Sequence, residues 1–234
     1  MKKVRCLLFD AVGTLIRPEP SVAAAYQAAG RKFGAPLEEA ELRIRFQAAL
    51  AQTERDDALH RAHATDEAHE RRRWQAIVAR VFAEVSDSVP LFEQLWRHFA
   101  EAANWRLFPD AAVCLERLAA LRRGGREFAS GVASNFDGRL EPILAALPEL
   151  GGLQHAFISS QLGARKPSLG FFRAIEQRLH LAPEEVLLVG DDLENDYRGA
   201  QRAGWQAILL DRRNEHGLAD RVRSLEDLPL ADLI

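Results

Sequence analysis

Downstream of Pro109 the chain alternates between short apolar runs and helical periods, and that alternation leaves few folds open. "EFASGVAS", "HAFISS", "EVLLVG" and "WQAILL" read as strands, whereas "DAAVCLERLAALRR", "SLGFFRAIEQRLH" and "LENDYRGAQRAG" read as helices. Strands joined through helices pair in parallel by right-handed crossovers, which covers both faces of one sheet. In the first of these helices Asp110 is expected as N-cap and Gly124-Gly125 as the stop, and Gly204 ends the last.

One more strand opens the chain. Val4 to Phe9 is apolar apart from Arg5, the pattern of a strand buried on both faces. From Ser21 to Asn104 no strand is expected. Apolar residues recur there at helical spacing, as in "ELRIRFQAAL" and "RRRWQAIVARVF", and Pro36 and Pro90 divide the stretch into several helices. The expected fold is therefore α/β, a Rossmann-like parallel sheet with helices on both faces. Residues 1–16 and 107–234 form it, and residues 17–106 are an α-helical domain inserted into the first crossover. With 234 residues, 47% of them apolar, the chain has enough material for a sizeable core and a smaller one.

Bulk properties exclude some partners. A formal net charge of -3 argues against nucleic-acid binding through bulk charge. Cys6 and Cys114 are the two cysteines, too few for a disulfide framework, which points to a reducing compartment. The first apolar run is too short to span a membrane, and no small-residue cleavage site follows it. A cytoplasmic protein without nucleic-acid or membrane partners is expected, with monomer and homodimer both open.

Chemistry gathers at the strand ends. The first strand ends on Asp10, the next on Ser134 and Asn135, the third leads to Lys166, and the fourth ends at "GDDLEND" with Asp191, Asp192 and Asp196. In a parallel sheet these ends share one edge, where ligands bind. Clustered carboxylates repel one another, so a hard cation such as Mg2+, often bridging to phosphate, is the natural neutraliser. An aspartate beside such an ion can act as a nucleophile and form an aspartyl-phosphate. Lys166, the Ser134 hydroxyl and the backbone N–H groups after Asp10 would then stabilise phosphoryl oxygens. Taken singly, each residue has a plainer use as turn former, surface lysine or helix-end charge. His60, His63 and His69 likewise read as part of a solvated helix face rather than metal ligands.

Together, "FDAVGTL", "ASNFD", "ARKP" and "GDDLENDYRGA" resemble, in order, the four motifs of the haloacid dehalogenase-like hydrolase superfamily. "SNFDGRL" and "VGDDLENDYRGA" further resemble the branch named after the rhythmically expressed gene 2 protein. The helical insert resembles that superfamily's cap. The resemblance implies a phosphatase acting on a small phosphorylated molecule. It implies Asp10 as nucleophile, and Ser134 and Lys166 as catalytic phosphate binders joined by Ala11 and Asn135. Mg2+ would be held by Asp10, the Val12 carbonyl and Asp191, with Asp196 close by.

Val12 departs from the pattern. Phosphatases of the superfamily usually carry a second Asp there, which protonates the leaving group and then activates water. General acid–base help is worth about 10²–10⁴-fold, so a hydrolase lacking it is expected to be slow. A weak or inactive phospho-ligand-binding or regulatory module is the alternative. A 2-haloacid dehalogenase fits less well, because the acidic "GDDLEND" would be a neutral stretch there. A phosphonoacetaldehyde hydrolase needs a cap lysine, and Lys32, the only lysine of the insert, falls too early.

Overall fold

The computed structural model describes residues 3–59 and 64–234, so His60 and His63 lie outside the described residues. In chain order the elements are β1 (Cys6–Phe9), β2 (Ile16–Pro18), α1 (Val22–Lys32), α2 (Glu39–Leu59), α3 (Glu67–Val81) and α4 (Val89–His98). They continue with β3 (Trp105–Leu107), α5 (Pro109–Arg123), β4 (Ala129–Ser134), α6 (Leu140–Ala145), β5 (His155–Ile158), α7 (Ser159–Leu162) and α8 (Leu169–Leu179). The last are β6 (Val186–Gly190), α9 (Gly199–Ala203), β7 (Gln206–Leu210), β8 (Arg221–Val222) and α10 (Leu230–Leu233).

Six strands form one parallel sheet in the order β5-β4-β1-β6-β7-β8. β1 lies between β4 and β6, with Phe9 in register with Val132 on one side and Val189 on the other. Side chains alternate across a strand, and both faces of β1 are buried. Leu7 and Phe9 join a core with Cys114 and Leu118 of α5 and Leu230 and Leu233 of α10. Cys6 and Leu8 join the opposite core with Phe171, Phe172 and Ile175 of α8 and Ala200 of α9. Both cysteines are free and buried, and burial pushes each thiol up to about 12, which leaves them inert packing groups.

The helical stretch has its own apolar cluster, built on Tyr26, Leu42, Ile77, Phe82, Leu91 and Phe92. Tyr26 stacks on Phe82 with centroids 5.9 Å apart and meets Phe46 edge-on at 5.4 Å. Local signals start these helices. Ser21 and Asp66 cap α1 and α3 by accepting main-chain N–H bonds, and Pro90 sits in the first turn of α4. The chain leaves for the helices along β2 and returns along β3, and these two strands pair antiparallel, Ile16 with Leu107 and Pro18 with Trp105. No helix among the described residues is long and apolar enough to cross a membrane.

Four details differ from the sequence expectation. Phe108, not Asp110, precedes α5 as its cap, because Pro109 takes the first helical position. The Asp110 carboxylate instead accepts the Leu225 N–H at 2.9 Å and pairs with Arg212, tying the C-terminal segment to α5. "LENDYR" winds as a π-helical turn from Leu193 to Arg198 before α9 begins. β2, β3 and β8 are short strands with no run of their own in the sequence, and β8 makes β7 an inner strand.

Phe172 is fully buried and meets Trp205 edge-on at 5.1 Å. Phe172→Ala is expected to cost about 3–5 kcal/mol in urea unfolding. Ile44→Ala, at a residue 69% exposed, should stay within about 0.5 kcal/mol.

Candidate active site

Two of the acids placed at the strand ends by sequence, Asp10 and Asp196, meet around the ammonium of Lys166. Lys166 Nζ donates to Asp10 Oδ1 at 2.7 Å, to Asp196 Oδ1 at 2.5 Å and to the Ala133 carbonyl at 2.8 Å. Asp10 follows β1, Ser134 ends β4, and Asp196 lies in the π-helical turn after β6. Asp10, Ser134, Lys166 and Asp196 are all buried. Asp191 is exposed along one edge, yet protein crowds its carboxylate.

The supporting bonds explain how a lysine is held so deep. The Asn135 side chain grips the Lys166 main chain from both ends: its Nδ2 donates to the Lys166 carbonyl at 3.0 Å and its Oδ1 accepts the Lys166 N–H at 2.8 Å. Its amide thereby positions the lysine. The second oxygen of Asp196 accepts the Asp192 N–H at 3.1 Å. Asp192 itself faces the helix, capping the turn through the Glu194 and Asn195 N–H groups.

Two glycines make room for the carboxylates. Gly13 has φ +93°, a conformation that disfavours side chains, and a Cβ there would lie 2.3 Å from Asp191 Oδ2. A Cβ on Gly190 would lie 2.2 Å from Asp196 Oδ2. Thr14 Oγ1 donates to Asp191 Oδ1 at 2.9 Å. Arg212 holds the same loop from behind, donating to the Thr14 carbonyl at 2.9 Å while stacking over Phe108 at 4.2 Å. Thr14 stands inside "FDAVGTL" and its hydroxyl was available to sequence reasoning. Arg212 lies beyond the last motif, and no sequence signal marks it.

Electrostatically the cluster is short of positive charge. Burial works against the Lys166 ammonium, but Asp10 and Asp196 outweigh it and hold the proton on more firmly than usual. Burial also raises the Asp196 carboxyl, and Lys166 only partly offsets this. Asp191 is pushed up to about 6 by burial and then by the Asp10 charge, against the Thr14 hydrogen bond. One lysine thus faces three carboxylates. Asp10, Asp191 and Asp196 can each offer an oxygen within 4.8 Å of the others, and oxygen donors so placed suit a hard divalent cation such as Mg2+.

The chain belongs to the haloacid dehalogenase-like hydrolase family, whose sequence model matches residues 4–204. Haloacid dehalogenase-like hydrolase domain-containing protein 3 of Mus musculus is 30% identical over 216 residues, covering 89% of this chain and 82% of that protein. The Rhythmically expressed gene 2 protein of Drosophila melanogaster is 25% identical over 222 residues, covering 92% and 85%, in line with the branch resemblance. The fold is also that of the HAD-hydrolase YfnB from Bacillus subtilis, solved bound to magnesium, with TM-score 0.75 at 20% identity over 99% of both chains. L-2-haloacid dehalogenase from Xanthobacter autotrophicus gives TM-score 0.73 at 18% identity over 98% of both. At such identities these structures speak to the fold.

An acid that holds its proton more tightly when folded contributes stability that is present below its unfolded pKa and lost as pH rises through its folded one. For Asp191 that window runs from 3.8 to about 6. In metal-free protein, the Tm of wild type minus that of Asp191→Asn should fall as pH rises across this window. Mg2+ should raise the wild-type Tm more above the window than within it. A pH-independent difference would contradict this reading of the charge cluster.

Proposed function

We propose that this family member hydrolyses phosphate monoesters of small molecules through Asp10. The observation that supports it best is Lys166 Nζ held between Asp10 and Asp196 at 2.7 and 2.5 Å, with the Asp191 carboxylate beside them. Asp10, Asp191 and the Val12 carbonyl would hold Mg2+, with Asp196 adjacent and anchoring Lys166. When bound, the ion supplies positive charge that offsets the carboxylates and polarises phosphoryl oxygens.

The chain's own groups carry the rest. Lys166 and the Ser134 hydroxyl hold the phosphoryl oxygens, joined by main-chain N–H groups at Ala11 and Asn135. An Asp10 carboxylate oxygen attacks phosphorus, the bond from phosphorus to the ester oxygen breaks, and that oxygen leaves with the electron pair. Water then attacks the aspartyl-phosphate, freeing the Asp10 carboxylate and inorganic phosphate, and the proton from water ends on the departed oxygen. Helices α1 to α4 serve as the cap. Glu67 at the start of α3 accepts the Gly138 N–H at 2.9 Å, and Asp57 of α2 pairs with Arg165 at 3.3 Å, holding the cap against the sheet edge. Release of these contacts admits substrate and their return excludes water.

Val12 provides neither proton to the leaving group nor base for the water. Phosphoryl transfer to Asp10 from an activated ester therefore outpaces the second step. Dehalogenation is the weaker reading, because three clustered carboxylates have no use in a metal-free displacement of halide. A phospho-ligand-binding module is favoured by Val12 alone.

Phosphate release from an aryl phosphate, run with Mg2+ or with EDTA, separates these readings. Wild type should turn over slowly and only with Mg2+, and Asp10→Asn should be inactive. Val12→Asp should gain about 10²–10⁴-fold. An inert wild type beside an active Val12→Asp would establish the binding module. Activity surviving in Asp10→Asn would refute the mechanism.

A further inference from the structure

We infer that the substrate's non-phosphate part is a bulky apolar group, of which a one- or two-ring phenol is the best fit. The inference rests on the phosphatase reading and names its substrate class. It comes from a cavity of about 260 Å³ between the helical insert and the sheet edge. Phe46, Trp74 and Trp96 of the helical insert line it, and so do Val12, Phe136 and Trp105, the last two in edge contact at 6.0 Å. Val12 stands two residues after Asp10, and Phe136 two after Ser134. A group attached to a phosphoryl held by Asp10 and Ser134 therefore enters this cavity.

Two of the polar side chains around it, Arg139 and Asn135, are already engaged. Arg139 donates from Nε and Nη2 to the two oxygens of Asp137, both at 2.7 Å, and from Nη1 to the Trp96 carbonyl at 3.2 Å. Its guanidinium carbon lies 3.3 Å from the Trp96 ring centroid, its charge is matched by Asp137, and three of its five donors are occupied. The Asn135 amide is bound to the Lys166 main chain. Burial holds the Tyr26 phenol well above its usual pKa, keeping it neutral. The Tyr26 hydroxyl and the Trp74 and Trp96 indole N–H groups are too few to partner the several hydroxyls of a sugar phosphate, so burying one here costs more than burying an apolar ring of the same size. An aromatic ring gains from both desolvation and edge contacts with the indoles.

The same group accounts for Val12. A phenol ionises near pH 10, like tyrosine, whereas water ionises only near 16, so an aryl oxygen leaves as an anion without a proton donor. A carboxylate at position 12 would face the apolar wall. In this arrangement the valine is a surface of the pocket, and the leaving group needs no acid there.

The test uses the Mg2+-loaded protein with 1-naphthyl phosphate, glucose 6-phosphate and acetyl phosphate, the last activated but without an apolar body. The proposal expects kcat/KM for 1-naphthyl phosphate to exceed that for glucose 6-phosphate by at least about 100-fold. Leu50 of α2 also lines the cavity, and Leu50→Phe, which fills it, should lower the ratio of naphthyl to acetyl phosphate kcat/KM by roughly tenfold. Acetyl phosphate turnover that is lost in Asp10→Asn, without any preference for the naphthyl ester, would leave the hydrolase reading standing and overturn this one. If none of the three is turned over, the hydrolase reading fails and phenylphosphonate, which cannot be hydrolysed, decides the ligand class. A Tm rise with wild type that Leu50→Phe removes retains an apolar phospho-ligand, and no rise overturns it.

Discussion

A single buried ammonium organises this molecule's functional edge. Lys166 is taken out of water between Asp10 and Asp196, and a buried charge is tolerated only when paired and hydrogen-bonded. Its three donors go to two carboxylates and the Ala133 carbonyl. The pairing constrains three separate parts of the chain at once: the end of β1, the end of β4, and the turn after β6. Removing the lysine would leave two buried carboxylates facing each other with no cation. Removing either acid would leave the lysine half paired. The parallel sheet supplies the geometry, since only strand ends on a common edge can be gathered in this way.

Around that ion pair the structure divides labour between polar and apolar surfaces. Asn135, Thr14 and Arg212 act through the backbone or through another side chain: the first fixes Lys166, the second orients Asp191, and the third steadies the loop bearing Gly13 and Thr14. On the opposite side of Val12 the wall is aromatic, drawn from α1 to α4 and returning through the β2–β3 ribbon to the sheet. The crevice is therefore strongly charged at its floor and nearly uncharged above it. Such a gradient favours a ligand that is anionic at one end and greasy at the other.

Much of this was legible in the residues. The apolar runs of β1, β4, β5, β6 and β7 announce a parallel sheet, and the acids, serine and lysine at their ends announce where it works. Short elements were not legible. Three residues of β2 and three of β3 make a strand only because they meet each other, and β8 exists only because Asp220 to Val222 return beside β7. The π-helical turn depends on Asp192 capping its own neighbours, which places Asp196 against Lys166. Asp110 looked like a helix cap because aspartate before a helix usually is one. Its true partners, Arg212 and Leu225, are distant in sequence. Asn135 was expected near phosphate from the resemblance; its side-chain amide grips the Lys166 backbone, a partner that no spacing rule connects to it.

The most direct measurement is whether Asp10 carries phosphate during turnover. Wild-type protein with Mg2+ and 1-naphthyl phosphate would be quenched in acid during turnover, and its peptides mapped by mass. One phosphoryl group is expected on the peptide containing Asp10, accumulating because Val12 leaves the second step without a base, and absent when EDTA removes the Mg2+ before substrate is added. Phosphate released with no adduct on that peptide, or an adduct on another residue, would contradict it.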